Sequence, residues 1–122
     1  MLNEKHRIYG KTKILEKEEL KKIFNSEPFN YVKIVLLFGS RAVGNFHTRS
    51  DYDFAVFADE TADDGWGVLS KIWVDVGSTL HLEEIDYDVI DLARFTPQMK
   101  RSICKGYEIL KGNRDDISRI LK

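Results

Sequence analysis

Residues 31–38 read YVKIVLLF, a run in which Lys33 is the one charged side chain, and Gly39 stops it. A strand with one face in water alternates apolar and polar residues. This one does not, so it predicts a strand covered on both faces, and that demands a sheet with packed layers above and below it. A chain of 122 residues suffices for one domain with a real core and is short for two, so residues 1–122 read as a single domain. The longest unbroken apolar run, Ile34 to Phe38, is far below the ~20 residues of a membrane-spanning helix. The N-terminus lacks the basic-then-apolar layout of a signal peptide. Both features predict a cytoplasmic protein with no membrane partner.

Around that strand the periodicities give the other layers. Residues 16–25, EKEELKKIFN, carry Leu20, Ile23 and Phe24 at helical spacing. Residues 52–58, YDFAVFA, predict a second strand, and 85–90, IDYDVI, a third. Between them Trp66, Leu69, Ile72, Trp73 and Val76 repeat at three- and four-residue steps, predicting a helix over 66–80 with this stripe in the core. Thr96-Pro97 opens a final long helix to about Lys111, with residues 115–121 adding a turn or a tail. The fold class is therefore α/β (α+β), a small mixed sheet flanked by helices.

Charge is unevenly placed. Net charge is only -1, yet residues 51–93 hold twelve acids against one base, Lys71, while Lys and Arg collect in the two ends. Such a segment repels a nucleic-acid backbone, which argues against broad, direct nucleic-acid binding, and it suits divalent cations. Asp51 and Asp53 are spaced i, i+2, so they share one face of the second strand about 7 Å apart at Cα, with Tyr52 and Phe54 on the other face. Two carboxylates side by side repel unless something positive lies between them. On the third strand Asp86 and Asp88 share one face and Tyr87, Val89 and Asp91 the other, so a further acid can meet the first pair if the strands are neighbours. Carboxylate oxygens converging in this way suit hard cations of the Mg2+ type rather than zinc.

Gly39-Ser40 ends the first strand ten residues ahead of Asp51, and residues 41–43 continue as a first helical turn. Backbone N–H groups and the Ser40 hydroxyl at such a helix start make a cradle for phosphate, and a glycine allows close backbone approach. The G-x-x-x-x-G of a P-loop also fits Gly39 to Gly44, but Asn45 stands where the lysine must be. His6, His47 and His81 lack ligand spacing. Cys104 is the sole cysteine, which excludes an internal disulfide, and it reads as a buried helix residue.

Gly39-Ser40, ten residues, Asp51-Tyr52-Asp53, followed by YDVIDL at 87–92, resembles the minimal nucleotidyltransferases of the DNA polymerase beta-like superfamily over about Leu20 to Lys111. The resemblance implies Asp88 as third carboxylate; by sequence alone Asp86 and Asp91 compete with it, and parity does not separate Asp86 from Asp88. It also implies two Mg2+ ions on Asp51, Asp53 and Asp88, and ATP on Gly39, Ser40 and Arg41. Val43 stands where relatives often have a second arginine, which leaves Arg41 or Arg49 to meet the triphosphate. The implied function is transfer of AMP to a hydroxyl, foremost a tyrosine of a helical HEPN-type toxin to which such a chain is the antitoxin, with a homo- or hetero-oligomer as the working form. A small-molecule (aminoglycoside-like) transferase subunit and a non-catalytic module that neutralises its partner by binding are the alternatives.

Overall fold

The computed structural model describes residues 15–43, 51–59, 61, 65–83 and 86–122. The elements run α1 (Lys17–Phe24), a 3-10 turn (Glu27–Phe29), β1 (Val32–Phe38), α2 (Ser40–Val43), β2 (Tyr52–Ala58), α3 (Val68–Leu80), β3 (Tyr87–Asp91), α4 (Pro97–Cys104), β4 (Tyr107–Lys111) and α5 (Arg114–Leu121). The four strands form one mixed sheet in the order β3-β2-β1-β4, with β1 antiparallel to both neighbours and β2 parallel to β3.

β1 is buried on both faces, as its sequence requires. Val32, Val35 and Leu37 enter one core with Leu20 and Phe24 of α1, Ile72, Val76 and Leu80 of α3, and Tyr52, Phe54 and Val56 of β2. Ile34, Leu36 and Phe38 enter a second core with Ile103 of α4 and Ile117 and Leu121 of α5. Val32 and Ile34 are two apart yet serve opposite faces. A bulge between them, with Val32 opposite Ala58 and Ile34 opposite Phe57, leaves the exposed Lys33 as the extra residue that switches the alternation. The first core is rich in aromatic rings, with Phe24 4.8 Å from Phe29 and 5.3 Å, edge-on, from Phe54.

Three elements differ from their sequence-based expectation. The helix expected to run from Pro97 to Lys111 ends at Cys104, and residues 107–111 are instead the strand β4, which pairs along the second edge of β1. Gly106 weakens a helix at that point, and the unpaired edge of β1 gives the β-prone Tyr107 and Ile109 a better use than a further turn. Ile103 takes the buried position of the shortened helix, so Cys104, one step round it, is exposed rather than buried. The α3 stripe holds for Ile72 and Val76, but the helix starts only at Val68 behind Gly67 at φ 94°, and this puts Trp66 off the stripe and 84% exposed. β3 begins at Tyr87, which leaves Asp86 ahead of it.

Caps and side-chain ties hold the layers in place. Thr96 caps α4, its side chain accepting the Met99 N–H at 3.1 Å with Pro97 at the start of the helix, and Asn113 caps α5 by accepting from the Asp115 N–H at 2.7 Å. Asn25 donates to the Leu110 carbonyl at 3.0 Å and Lys111 to that of Phe29 at 2.8 Å, tying β4 to the segment after α1. Tyr87 donates to the Trp73 carbonyl at 2.9 Å, over Gly77, where a Cβ would lie within 2.5 Å of the phenol oxygen. Among the described residues no helix is long and apolar enough to cross a membrane.

Candidate active site

The register places the acidic residues. Asp53 of β2 stands opposite Phe38 on one side and Asp88 of β3 on the other. Tyr52, Phe54, Tyr87 and Val89 all enter the α1/α3 core, so alternation turns Asp53 and Asp88 to the opposite face, the one that α4 and α5 cover further along. Asp51 lies one residue ahead of β2 and is exposed. Burial and the neighbouring Asp88 and Asp51 push the Asp53 carboxyl up from 3.8 to about 6. Asp88 is exposed, and its Oδ1 accepts the Val89 N–H at 3.0 Å.

Asp86 has a different environment. It is fully buried, and its Oδ2 accepts the Glu83 N–H at 3.0 Å. Its backbone N–H bonds the Glu83 carbonyl at 2.8 Å, and its own carbonyl receives the Tyr52 N–H at 2.9 Å. These bonds close the turn that delivers the chain into β3 beside the start of β2. Asp91 pairs with Val56 at the other end of β3 from Asp88 and its Oδ1 accepts the Ala93 N–H at 2.9 Å.

Gly39 closes β1 at φ +78°, a conformation that side chains rarely adopt. A Cβ built on it would overlap Asp53 Oδ2 and lie 3.3 Å from Asp53 Cγ. The first thing a side chain here would displace is therefore the Asp53 carboxylate. α2 starts at the next residue, Ser40, and the Ala42 N–H bonds the Gly39 carbonyl at 3.1 Å. Arg41 is 5% exposed, with its guanidinium 4.5 Å above the centre of the Tyr52 ring. Tyr52 in turn receives the Leu15 N–H at 2.8 Å on its phenol oxygen, and burial pushes that phenol up while the Leu15 bond and Arg41 oppose the shift. Arg41 thus packs on the face opposite Asp53. Arg49, His6 and His47 lie outside the described residues, as does the Ser40 side chain, while His81 is exposed and ends α3 at φ 56°.

The site suits a hard cation in the chemistry of its donors, all carboxylate oxygens, and in the mutual repulsion that a positive ion would relieve at Asp53. Among the described residues no three His, Cys, Asp or Glu side chains close up into a ready metal cluster. Mg2+ does not require one, because it is commonly held by one or two carboxylates, with water and substrate phosphate completing its shell.

A mixed sheet that presents a glycine-serine turn beside aspartates of two adjoining strands belongs to the nucleotidyltransferase class of fold. Residues 18–116 match the model of the family described as Polymerase beta, Nucleotidyltransferase, and the chain belongs to that family. It is also similar to the protein adenylyltransferase MntA of Aphanizomenon flos-aquae, with 60% identity over 30 residues. That stretch covers 25% of this chain and 20% of the relative's length. Among solved structures, a toxin–antitoxin complex with AMP-PNP superposes at TM-score 0.64 and 23% identity, covering 88% of this chain and 82% of that one. A tri-AMPylated Shewanella oneidensis HEPN toxin in complex with MNT antitoxin superposes at TM-score 0.57 and 21% identity, covering 86% and 76%. These structural likenesses concern the fold.

Proposed function

We propose that this chain is an adenylyltransferase that moves AMP from ATP to a tyrosine hydroxyl of a HEPN-type toxin and so acts as its antitoxin. The observation that carries the reading is the register of Asp53 with Asp88, one strand away from Gly39. Membership of the nucleotidyltransferase family, the local identity to a protein adenylyltransferase and the likeness to toxin–antitoxin complexes support it.

Asp51, Asp53 and Asp88 would hold Mg2+, two ions in this reading. Bound there, the metal supplies charge neutralisation for the triphosphate and lowers the pKa of the attacking hydroxyl. The Gly39-Ser40 turn offers its backbone to the phosphates at the start of α2. Arg41 contributes by fixing that turn onto Tyr52. In the transfer, the tyrosine oxygen bonds to the α-phosphorus, the bond from that phosphorus to the bridging oxygen breaks, pyrophosphate leaves, and the hydroxyl proton passes to Asp88. Positioning and electrostatics carry the rate, as in phosphoryl transfers generally.

The test is to incubate the purified chain with a HEPN-type partner protein, ATP and Mg2+, and to weigh the partner by mass spectrometry. One or more added AMP units, absent with EDTA and absent with Asp53→Asn, is the expected result. An unmodified partner alongside a labelled aminoglycoside or other small alcohol would replace this reading with the small-molecule one. Neutralisation of the partner by stoichiometric Asp53→Asn protein would replace it with neutralisation by contact alone.

A further inference from the structure

Across the strands, one row of residues runs on beyond the two aspartates. Asp88 is opposite Asp53, Asp53 is opposite Phe38, and Phe38 is opposite Tyr107 of β4. Residues directly opposite one another in a ladder share a face of the sheet, so all four stand on the face that α4 and α5 cover further along. The packing of Phe38 and Tyr107 against the second core agrees with this. The row is therefore acidic on its β3 half and aromatic on its β4 half. Phe38 is buried, whereas Tyr107 is only partly so and lines an open cleft of about 320 Å³ with Lys21, Glu108, Ile109 and Arg114.

The transfer proposed above, on which this step rests, leaves one direction free for the nucleoside. The reacting phosphorus belongs over Asp53, the attacking hydroxyl on the Asp88 side, and the departing pyrophosphate on the Gly39-Ser40 turn beyond the end of β1. What remains along the row is the stretch over Phe38 to Tyr107, two strand spacings or about 9–10 Å from Asp53 at Cα. We infer that Tyr107 positions the substrate by taking the purine base of ATP against its ring, with Phe38 as the apolar floor between base and phosphates. An aromatic face stacks any base, and a purine, with its larger π surface, better than a pyrimidine. Tyr107 thus does two things at once: it packs on the second core at the edge strand and offers the rest of its ring to the nucleoside.

The experiment titrates ATP, UTP and inorganic tripolyphosphate, each with Mg2+, into the whole chain by calorimetry, at a temperature where melting curves show every variant folded. Tyr107→Leu keeps an apolar side chain on the core but has no aromatic face. It should weaken ATP about 10-fold, narrow the preference for ATP over UTP, and leave tripolyphosphate within about twofold. Tyr107→Phe, which keeps the ring, should restore ATP affinity. In steady-state transfer to a HEPN-type partner protein, the loss in Tyr107→Leu should fall on KM for ATP rather than on kcat. Equal loss of ATP and tripolyphosphate would assign Tyr107 to the fold alone and overturn the inference, and so would equal affinity of the unsubstituted chain for the two. Undiminished ATP affinity in Tyr107→Leu, with transfer intact, would remove the nucleoside contact and leave the transfer reading standing. Selective loss of ATP in a chain that moves no AMP to the partner even when unsubstituted would keep the contact and sink the transfer reading.

Discussion

Asp53 sits where three demands meet: half-buried on a central strand, flanked by two other aspartates, and pressed against a glycine that has no room for a side chain. Its raised pKa makes a signed prediction. Between the ordinary 3.8 and about 6 the folded chain keeps a proton that the unfolded chain has released, so stability falls as pH rises across that window and the penalty is complete above it. In EDTA, Asp53→Asn should therefore melt above the parent at pH 8, by about 1 kcal/mol once solvent screening is allowed for, and level with it near pH 4. Gly39→Ala should cost about 1–2 kcal/mol from its positive φ alone and should also reduce transfer, because the new methyl displaces the Asp53 carboxylate; melting and AMP transfer measured together check this. Asp86 and Asp88 should separate cleanly. Asp86→Ala should lose about 1–3 kcal/mol of stability by leaving the Glu83 N–H without its acceptor, whereas Asp88→Asn should keep the fold and lose the reaction. The sequence brought both to one face by parity and left them open. What it did not contain was the turn at Glu83–Asp86 that holds Asp86 ahead of β3: two bonds between Glu83 and Asp86 close it, and the Tyr52 N–H to the Asp86 carbonyl sets it beside β2.

The elements that were legible in the sequence are those whose pattern is local. β1 announces itself by an apolar run and a glycine, β2 by YDFAVFA, and the start of α4 by Thr96-Pro97. β4 was illegible because five residues that alternate weakly are a strand only by virtue of a partner elsewhere: Tyr107 lies opposite Phe38, 69 positions earlier. Its one local mark was Gly106, too weak alone to end a helix. Trp66 was misplaced for a related reason, since period alone cannot tell that Gly67 interrupts the stripe before α3 begins. At this scale Asn113→Ala tests how far α5 depends on its cap. Loss of about 1 kcal/mol in a denaturant melt, with transfer unchanged at a temperature where the variant is folded, is the expected outcome.

For the molecule as a whole, β1 divides two cores, and the candidate site lies at the end of the sheet where β1, β2 and β3 come level. That overall plan, and the candidate residues Gly39, Asp51 and Asp53, follow from patterns of alternation and a glycine-serine turn; Asp88 follows only from the family resemblance, and the pairing that joins the strands from neither. β4 secures the second edge of β1, so removing residues 106–122 should leave a chain that aggregates instead of melting cooperatively, as light scattering during refolding would register. The same arrangement has a consequence in time. On a ribosome the central strand is made first, and at about 5–20 residues per second its last neighbour follows roughly 3 to 14 seconds later. For that interval VKIVLLF has one edge unclaimed and open to pairing with another chain, until Tyr107 to Lys111 arrive to cover it.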